Sequence, residues 1–306
     1  MSDIKLFSIV SDRATEIHSE AAALEKPLQH IIEANLEVFF GIKFVASEHA
    51  TGKTHAGRID TLGLDENNCP VIIEYKRSMN ENVINQGLFY LDWLMDHKAE
   101  FTLLVLKQFG DKTKDAIDWS APRLICIAND FTRYDDHAVR QISRNIELIR
   151  YRYFGQGLLL FELVNVIANT TPSEQLPIKS NKHAKTDKRA DEWLASYSSE
   201  MKDLFESLAS FLLSLGDDVQ RKDLKLYVAF KKIRNFASVT FLKSSLQIYL
   251  RLNPEKFTME EGFLRDVRNV GHWGTGNLEV TLKNFNDLDK AKPLLQKAYE
   301  GGPNAV

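Results

Sequence analysis

The chain has 306 residues, 44% hydrophobic and 26% charged, with a formal net charge of −3. That length suits two domains with buried cores, and the composition excludes a disordered chain. No apolar run approaches the roughly 20 residues of a bilayer span.

The first 20 positions mix acids and polar residues, unlike a signal peptide. Cys69 and Cys126 lie far apart, with no C-x-x-C spacing and no cluster of His, so neither a disulfide framework nor a zinc site is expected. A soluble cytoplasmic protein with reduced thiols and no membrane partner follows as an expectation. Charge is uneven: residues 1–170 carry 18 Lys+Arg against 24 Asp+Glu, the remainder 21 against 18. An acidic first half is compatible with holding a divalent cation, and phosphate binding would then fall to local patches and the second half.

In chain order, Glu20–Phe40 has apolar residues at helical spacing (Leu24, Leu28, Ile32, Leu36, Phe40), with Pro27 in the first turn. Ile42–Ser47, Ala56–Leu64 and Val71–Lys76 read as strands, the last two joined by the turn-forming run Asp65–Pro70. A helix over Asn80–His97 and buried strands at Phe101–Lys107 and Pro122–Ala128 follow. A helix at Asp135–Arg150 and a strand at Gly157–Val166 complete the half. Alternation of this kind predicts an α/β class, a mixed central sheet flanked by helices. Thr170–Ala190 is rich in Pro, Ser, Thr, Asn and Lys and lacks apolar periodicity, which marks a linker (169–194) between a first domain, 1–168, and a second, 195–306. The second half predicts a helix at Trp193–Leu215, strands at Leu224–Lys231, Ala237–Leu242, Leu246–Leu252 and Asn277–Leu282, and a closing helix at Leu288–Tyr299. That is a smaller α+β domain with an antiparallel sheet.

Chemistry concentrates in Gly57-Arg58-Ile59-Asp60 and Ile72-Ile73-Glu74-Tyr75-Lys76-Arg77. Strand alternation puts Glu74 and Lys76 on one face and Tyr75 on the other, and the 65–70 turn returns the second strand beside Asp60. Two converging carboxylates can hold a hard cation, Mg²⁺ or Mn²⁺, with the Tyr75 carbonyl as a further ligand. Lys76 is then placed to orient the attacking water or to stabilise phosphate oxygens. Charged strand residues usually occupy a solvated face, but Val71-Ile72-Ile73 reads as an interior strand, where idle charges are costly.

The string G-R-I-D, a hairpin, then I-E-x-K-R, with Gln86 and Tyr90 in the next helix, resembles the nuclease domain of the NucS-type endonucleases in the PD-(D/E)XK, restriction-endonuclease-like superfamily. The resemblance covers roughly residues 20–130. It implies that Asp60 and Glu74 bind metal, that Lys76 is catalytic and that Gln86 supports the site or contacts the DNA strand. It further implies an acid on the first helix, at Glu25 within Glu25-Lys26-Pro27-Leu28-Gln29 followed by Asn35, with Glu33 and Glu37 as weaker matches. Ile59 stands where the motif name has Pro. Only about 20 residues precede the first helix, so the N-terminal DNA-binding domain of the NucS type is not expected. The implied activity is metal-dependent cleavage of DNA in repair, restriction or defence, compatible with a homodimer; the alternative is an inactive interaction module on the same fold.

The second half resembles an uncharacterised domain often found with such nucleases, through Tyr227-Val-Ala-Phe-Lys-Lys, Gln247-Ile-Tyr-Leu-Arg-Leu and Gly271-His-Trp-Gly. Lys225, Tyr227, Lys231, Lys232, Arg234, Lys243, Tyr249 and Arg251 mix cations and aromatics along its strands. Such a sheet suits phosphate tracking and base stacking, or is simply a solvated face. His272 and Trp273 either touch a ligand or plug a turn. Thr51-Gly52-Lys53-Thr54 lacks the upstream glycine and following helix of a phosphate-binding loop.

Overall fold

The computed structural model describes residues 4–20, 25–52, 57–76, 83–110, 117–155, 157–165 and 190–301. The chain divides into two compact units, Met1–Asn165 and Val166–Val306. The expected linker segment 170–190 lies outside the described residues except for Ala190.

The first unit opens with β1 (Leu6–Val10) and β2 (Arg13–Ile17), an antiparallel hairpin the sequence pattern did not announce. Then come β3 (Ser19–Glu20), α1 (Glu25–Ala34), α2 (Leu36–Phe40), β4 (Ile42–Ala50), β5 (Arg58–Asp65) and β6 (Pro70–Lys76). α3 (Val83–Asp96), α4 (Lys98–Phe109), β7 (Arg123–Ala128), α5 (Arg133–Gln141), β8 (Asn145–Phe154) and β9 (Leu158–Leu163) follow. One sheet runs in the order β3-β8-β7-β6-β5-β4, with β9 also paired to β8. β6, β7 and β8 are mutually parallel and the other pairings antiparallel. The α/β class and the helix-flanked mixed sheet expected from the sequence are present.

Two expectations fail for one physical reason. Phe101–Lys107 lies within helix α4, where Phe101 and Val105, four apart, are buried and Leu103 is 65% exposed. The expected helix 135–150 stops at Gln141, and Ile146–Ile149 lies in strand β8, buried on both sides. A short apolar run does not distinguish a doubly covered parallel strand from a helix face. Thr132 and Asp135 close a capping box that starts α5, with the Asp135 N–H on Thr132 Oγ1 and the Thr132 N–H on Asp135 Oδ2 at 2.7 Å.

The sheet is tied at the end away from Asp60 by a buried ion triad. Arg123 donates to Asp65 Oδ2 at 2.9 Å and to both Glu147 oxygens at 2.9 Å. Asp65 Oδ1 also accepts the N–H groups of Asn67 and Cys69, which forms the β5–β6 turn.

The second unit has α6 (Ala190–Ser196), α7 (Ser199–Ser214), β10 (Gln220–Asp223), β11 (Val228–Lys231), β12 (Asn235–Leu242), β13 (Ser245–Leu250), β14 (Leu264–Asp266), β15 (Leu278–Leu282) and α8 (Phe285–Glu300). Its antiparallel sheet, in the order β10-β11-β12-β13-β15-β14, packs one face on these helices through Phe205, Leu212, Val239, Ile248, Val280 and Leu295. The expected α+β domain is therefore present, with β10 and β14 as strands too short and polar to stand out in the pattern. Within the segment 169–194 expected as a linker, Ala190 is buried in this core and its N–H pairs with the Lys225 carbonyl.

Candidate metal centre

β5 and β6 pair in register from Leu64↔Pro70 to Thr61↔Ile73. Beyond that pair, side chains replace the ladder. The Asp60 N–H donates to Glu74 Oε1 at 3.2 Å, and the Tyr75 N–H donates to Asp60 Oδ2 at 3.0 Å. The two carboxylates are thereby drawn between the strand ends. Asp60 is half-buried, Glu74 fully buried, and among the described residues Glu74 Oε2 has no hydrogen-bond partner. An acceptor in that state is costly unless something positive meets it.

The electrostatics agree. Burial first, then Asp60 alongside, pushes the Glu74 carboxyl up to about 9, against the pull of the Asp60 N–H and the Lys76 charge. A divalent cation between the carboxylates would reverse that balance. Among the described residues no trio of His, Cys, Asp or Glu converges as a complete ligand set. Two carboxylates are nonetheless enough for Mg²⁺, which keeps several waters and takes oxygens from a phosphate substrate. The donor set therefore fits the ion. The Tyr75 carbonyl shares its strand edge with the N–H that reaches Asp60.

Lys76 ends β6, half-buried, on the Glu74 face by alternation, and its charge reaches Glu74. Tyr75 points to the other face as expected, its OH 3.2 Å from Thr61 Oγ1. Gln86 on α3 donates to Tyr90 OH at 3.2 Å, and Tyr90 OH accepts the Arg58 N–H at 3.1 Å, which links α3 to the strand that carries Asp60. Two glycines of the motif have steric reasons. A Cβ on Gly57 would lie 2.6 Å from the Tyr90 ring, and one on Gly87 2.5 Å from Leu124.

The helical acid is placed less simply. Glu25 opens α1, but its side chain lies outside the described residues. Glu33 accepts from Thr61 Oγ1 at 2.6 Å and from Gln29, on the Thr61–Tyr75 face and not with the carboxylate pair. Glu37 sits in the first turn of α2.

Two contributors escaped the sequence reading. Gln29, buried, donates to the Asp60 carbonyl at 3.0 Å and binds Ser47 and Glu33, which fastens α1 to β5. Its place in the E-x-x-L-Q string was the available signal. Glu48 stands in β4 between the pairs Ser47↔Thr61 and His49↔Ile59, across from Asp60, and pairs with Arg58. Its charge adds to the rise at Glu74. No local pattern marks it, because the contact spans two strands.

In the second unit, the suggested cation–aromatic set is divided: Tyr227, Lys231 and Tyr249 are buried, while Lys232, Arg234 and Arg251 are half-buried. Lys225 and Lys243 are exposed. His272 stacks on Tyr249 at 4.1 Å, while Trp273 is 53% exposed.

A family model described as a domain of unknown function (DUF5655) matches residues 190–301. An uncharacterized protein of Haemophilus influenzae is 28% identical over 312 residues, 97% of this chain and 100% of that one. Among solved structures, an EndoMS–dsDNA complex is similar at 22% identity and a TM-score of 0.25, over 43% of this chain and 47% of its own. A repair endonuclease from Pyrococcus abyssi is similar at 18% identity and a TM-score of 0.28, over 43% and 49%. The chain spans about half the length of these two structures.

Proposed function

We propose that the first unit is a metal-dependent nuclease that hydrolyses DNA phosphodiester bonds. The observation that carries this reading is the reciprocal arrangement of Asp60 and Glu74, with Glu74 Oε2 buried and lacking a partner among the described residues. Asp60, Glu74 and the Tyr75 carbonyl are the groups that would hold Mg²⁺ or Mn²⁺. When bound, such an ion supplies an activated water and neutralises charge on a phosphate oxygen. Lys76, on the Glu74 face, orients that water or balances the phosphate charge as it develops. Gln86 acts through Tyr90 to hold the Arg58 end of β5. Glu25 is the candidate helical acid, by resemblance alone.

DNA is the proposed partner, in repair, restriction or defence. The test is incubation of purified protein with plasmid, single-stranded and branched DNA in Mn²⁺ or in EDTA. Cleavage in Mn²⁺ alone supports the nuclease; DNA binding without cleavage of any substrate assigns the unit to the interaction module instead.

A further inference from the structure

The second unit contains a cavity of about 650 Å³ between the β12–β13 strands, Trp193 of α6 and the Gly271–Trp273 loop, in the range of small-ligand sites. Tyr249 lies at its floor, with the His272 ring stacked on it at an interplanar angle of 7°. Trp193, Phe241 and Trp273 are further aromatic walls. Trp273 keeps 53% of its surface exposed, more than packing explains for so large a ring.

Polar groups converge on the same space. Gln247 Oε1 accepts from Tyr249 OH at 3.1 Å, and among the described residues the Gln247 amide nitrogen has no partner. Buried His272 Nδ1 likewise lacks one. At the rim, Arg265 is 57% exposed and uses Nη2 on Glu279, which leaves its other N–H groups available.

The wall is built, not draped. Gly274 has a φ of +87° with a notional Cβ 2.5 Å from Ser238, and Gly276 a φ of +145° with one 2.6 Å from the Tyr249 main chain. Only glycine permits so close a left-handed path. The Thr275 N–H then donates to Ser238 Oγ at 3.1 Å. This seam fixes His272 and Trp273 over the sheet before any ligand arrives, which lowers the ordering cost of binding.

We infer that this cavity binds a nucleotide, its base against the aromatic walls, its edge on Gln247 and His272, and its phosphate toward Arg265. Flat rings, an amide and a cationic rim together match a base that carries a phosphate better than they match an apolar ligand. The nucleotide is either free or one unit of a single strand. The inference concerns the second unit and is independent of the Asp60–Glu74 site.

The test uses the full chain in EDTA, in the wild type and in an Asp60→Asn background. The four deoxynucleoside monophosphates are titrated by calorimetry, and a labelled mixed-sequence single-stranded decamer by anisotropy. Trp273→Ala and Arg265→Gln alter exposed side chains, so their melting curves should match the parent. Each should weaken binding about tenfold or more, the usual scale of one base–aromatic stack. Monophosphate binding lost in both variants identifies a free-nucleotide site; decamer binding alone, lost in both, identifies a strand site. No binding of either probe, or binding equally tight in Trp273→Ala and the parent, overturns the inference. Equal results with and without Asp60→Asn keep this outcome separate from that of the nuclease reading.

Discussion

Asp60 gives its main-chain N–H to the Glu74 carboxylate at 3.2 Å, at the point where β5 and β6 cease to pair directly. With the Tyr75 N–H on Asp60 Oδ2, the end of a hairpin becomes a carboxylate pair, Glu74 fully buried and Asp60 half-buried. The pair is unstable to its own charge, and that instability makes it measurable.

Glu74 is raised from 4.5 to about 9, by burial first and Asp60 second. The folded chain therefore keeps a proton that the unfolded chain releases, and the associated stability is full below about 4.5 and lost as pH rises towards about 9. In EDTA the Tm of the wild type should fall more steeply across that window than that of Glu74→Gln. Near the upper end, Mn²⁺ should raise the wild-type Tm and leave the variant nearly unmoved. A wild-type Tm that climbs with pH relative to the variant contradicts the assignment.

Gly57→Ala places a methyl group 2.6 Å from the Tyr90 ring. Overpacking of this kind costs about 1–3 kcal/mol, and it should also loosen the Tyr90–Arg58 contact. Urea denaturation measures the loss. Gly271→Ala, with nothing within 4 Å, is the control and should be near neutral.

The Asp65–Arg123–Glu147 triad gives a larger effect. Arg123→Met leaves two carboxylates buried without their cation, at about 3–5 kcal/mol. The same measurement applies, and a variant as stable as the wild type would show that the triad contributes nothing.

The Asp60–Glu74 convergence was legible because a turn-forming run and strand alternation are local, and they suffice to place two residues fourteen apart. Lys76 and Tyr75 followed from the same alternation. Glu48 was not legible, since its charge comes near Glu74 only through the β4–β5 pairing, which no short pattern encodes. α4 and β8 were misread because each presents an apolar run whose period burial alone decides. The short strands β10 and β14 owe their conformation to their neighbours.

The second unit's core is built from residues between Ala190 and Ala298. A fragment spanning 190–301 should therefore melt cooperatively by circular dichroism on its own. A featureless, non-cooperative curve would show that it depends on the rest of the chain.

The most direct test of the central claim is the rate of DNA cleavage in Mn²⁺ by wild type, Asp60→Asn and Lys76→Ala, with DNA binding measured alongside. Loss of a charged metal ligand or of the group assisting the water should lower the rate by orders of magnitude, as befits several kcal/mol in the transition state. Binding should survive, because backbone affinity rests on cations spread over the protein. Cleavage by the wild type that both substitutions abolish is the predicted result; cleavage undiminished in both would contradict it and place the activity elsewhere.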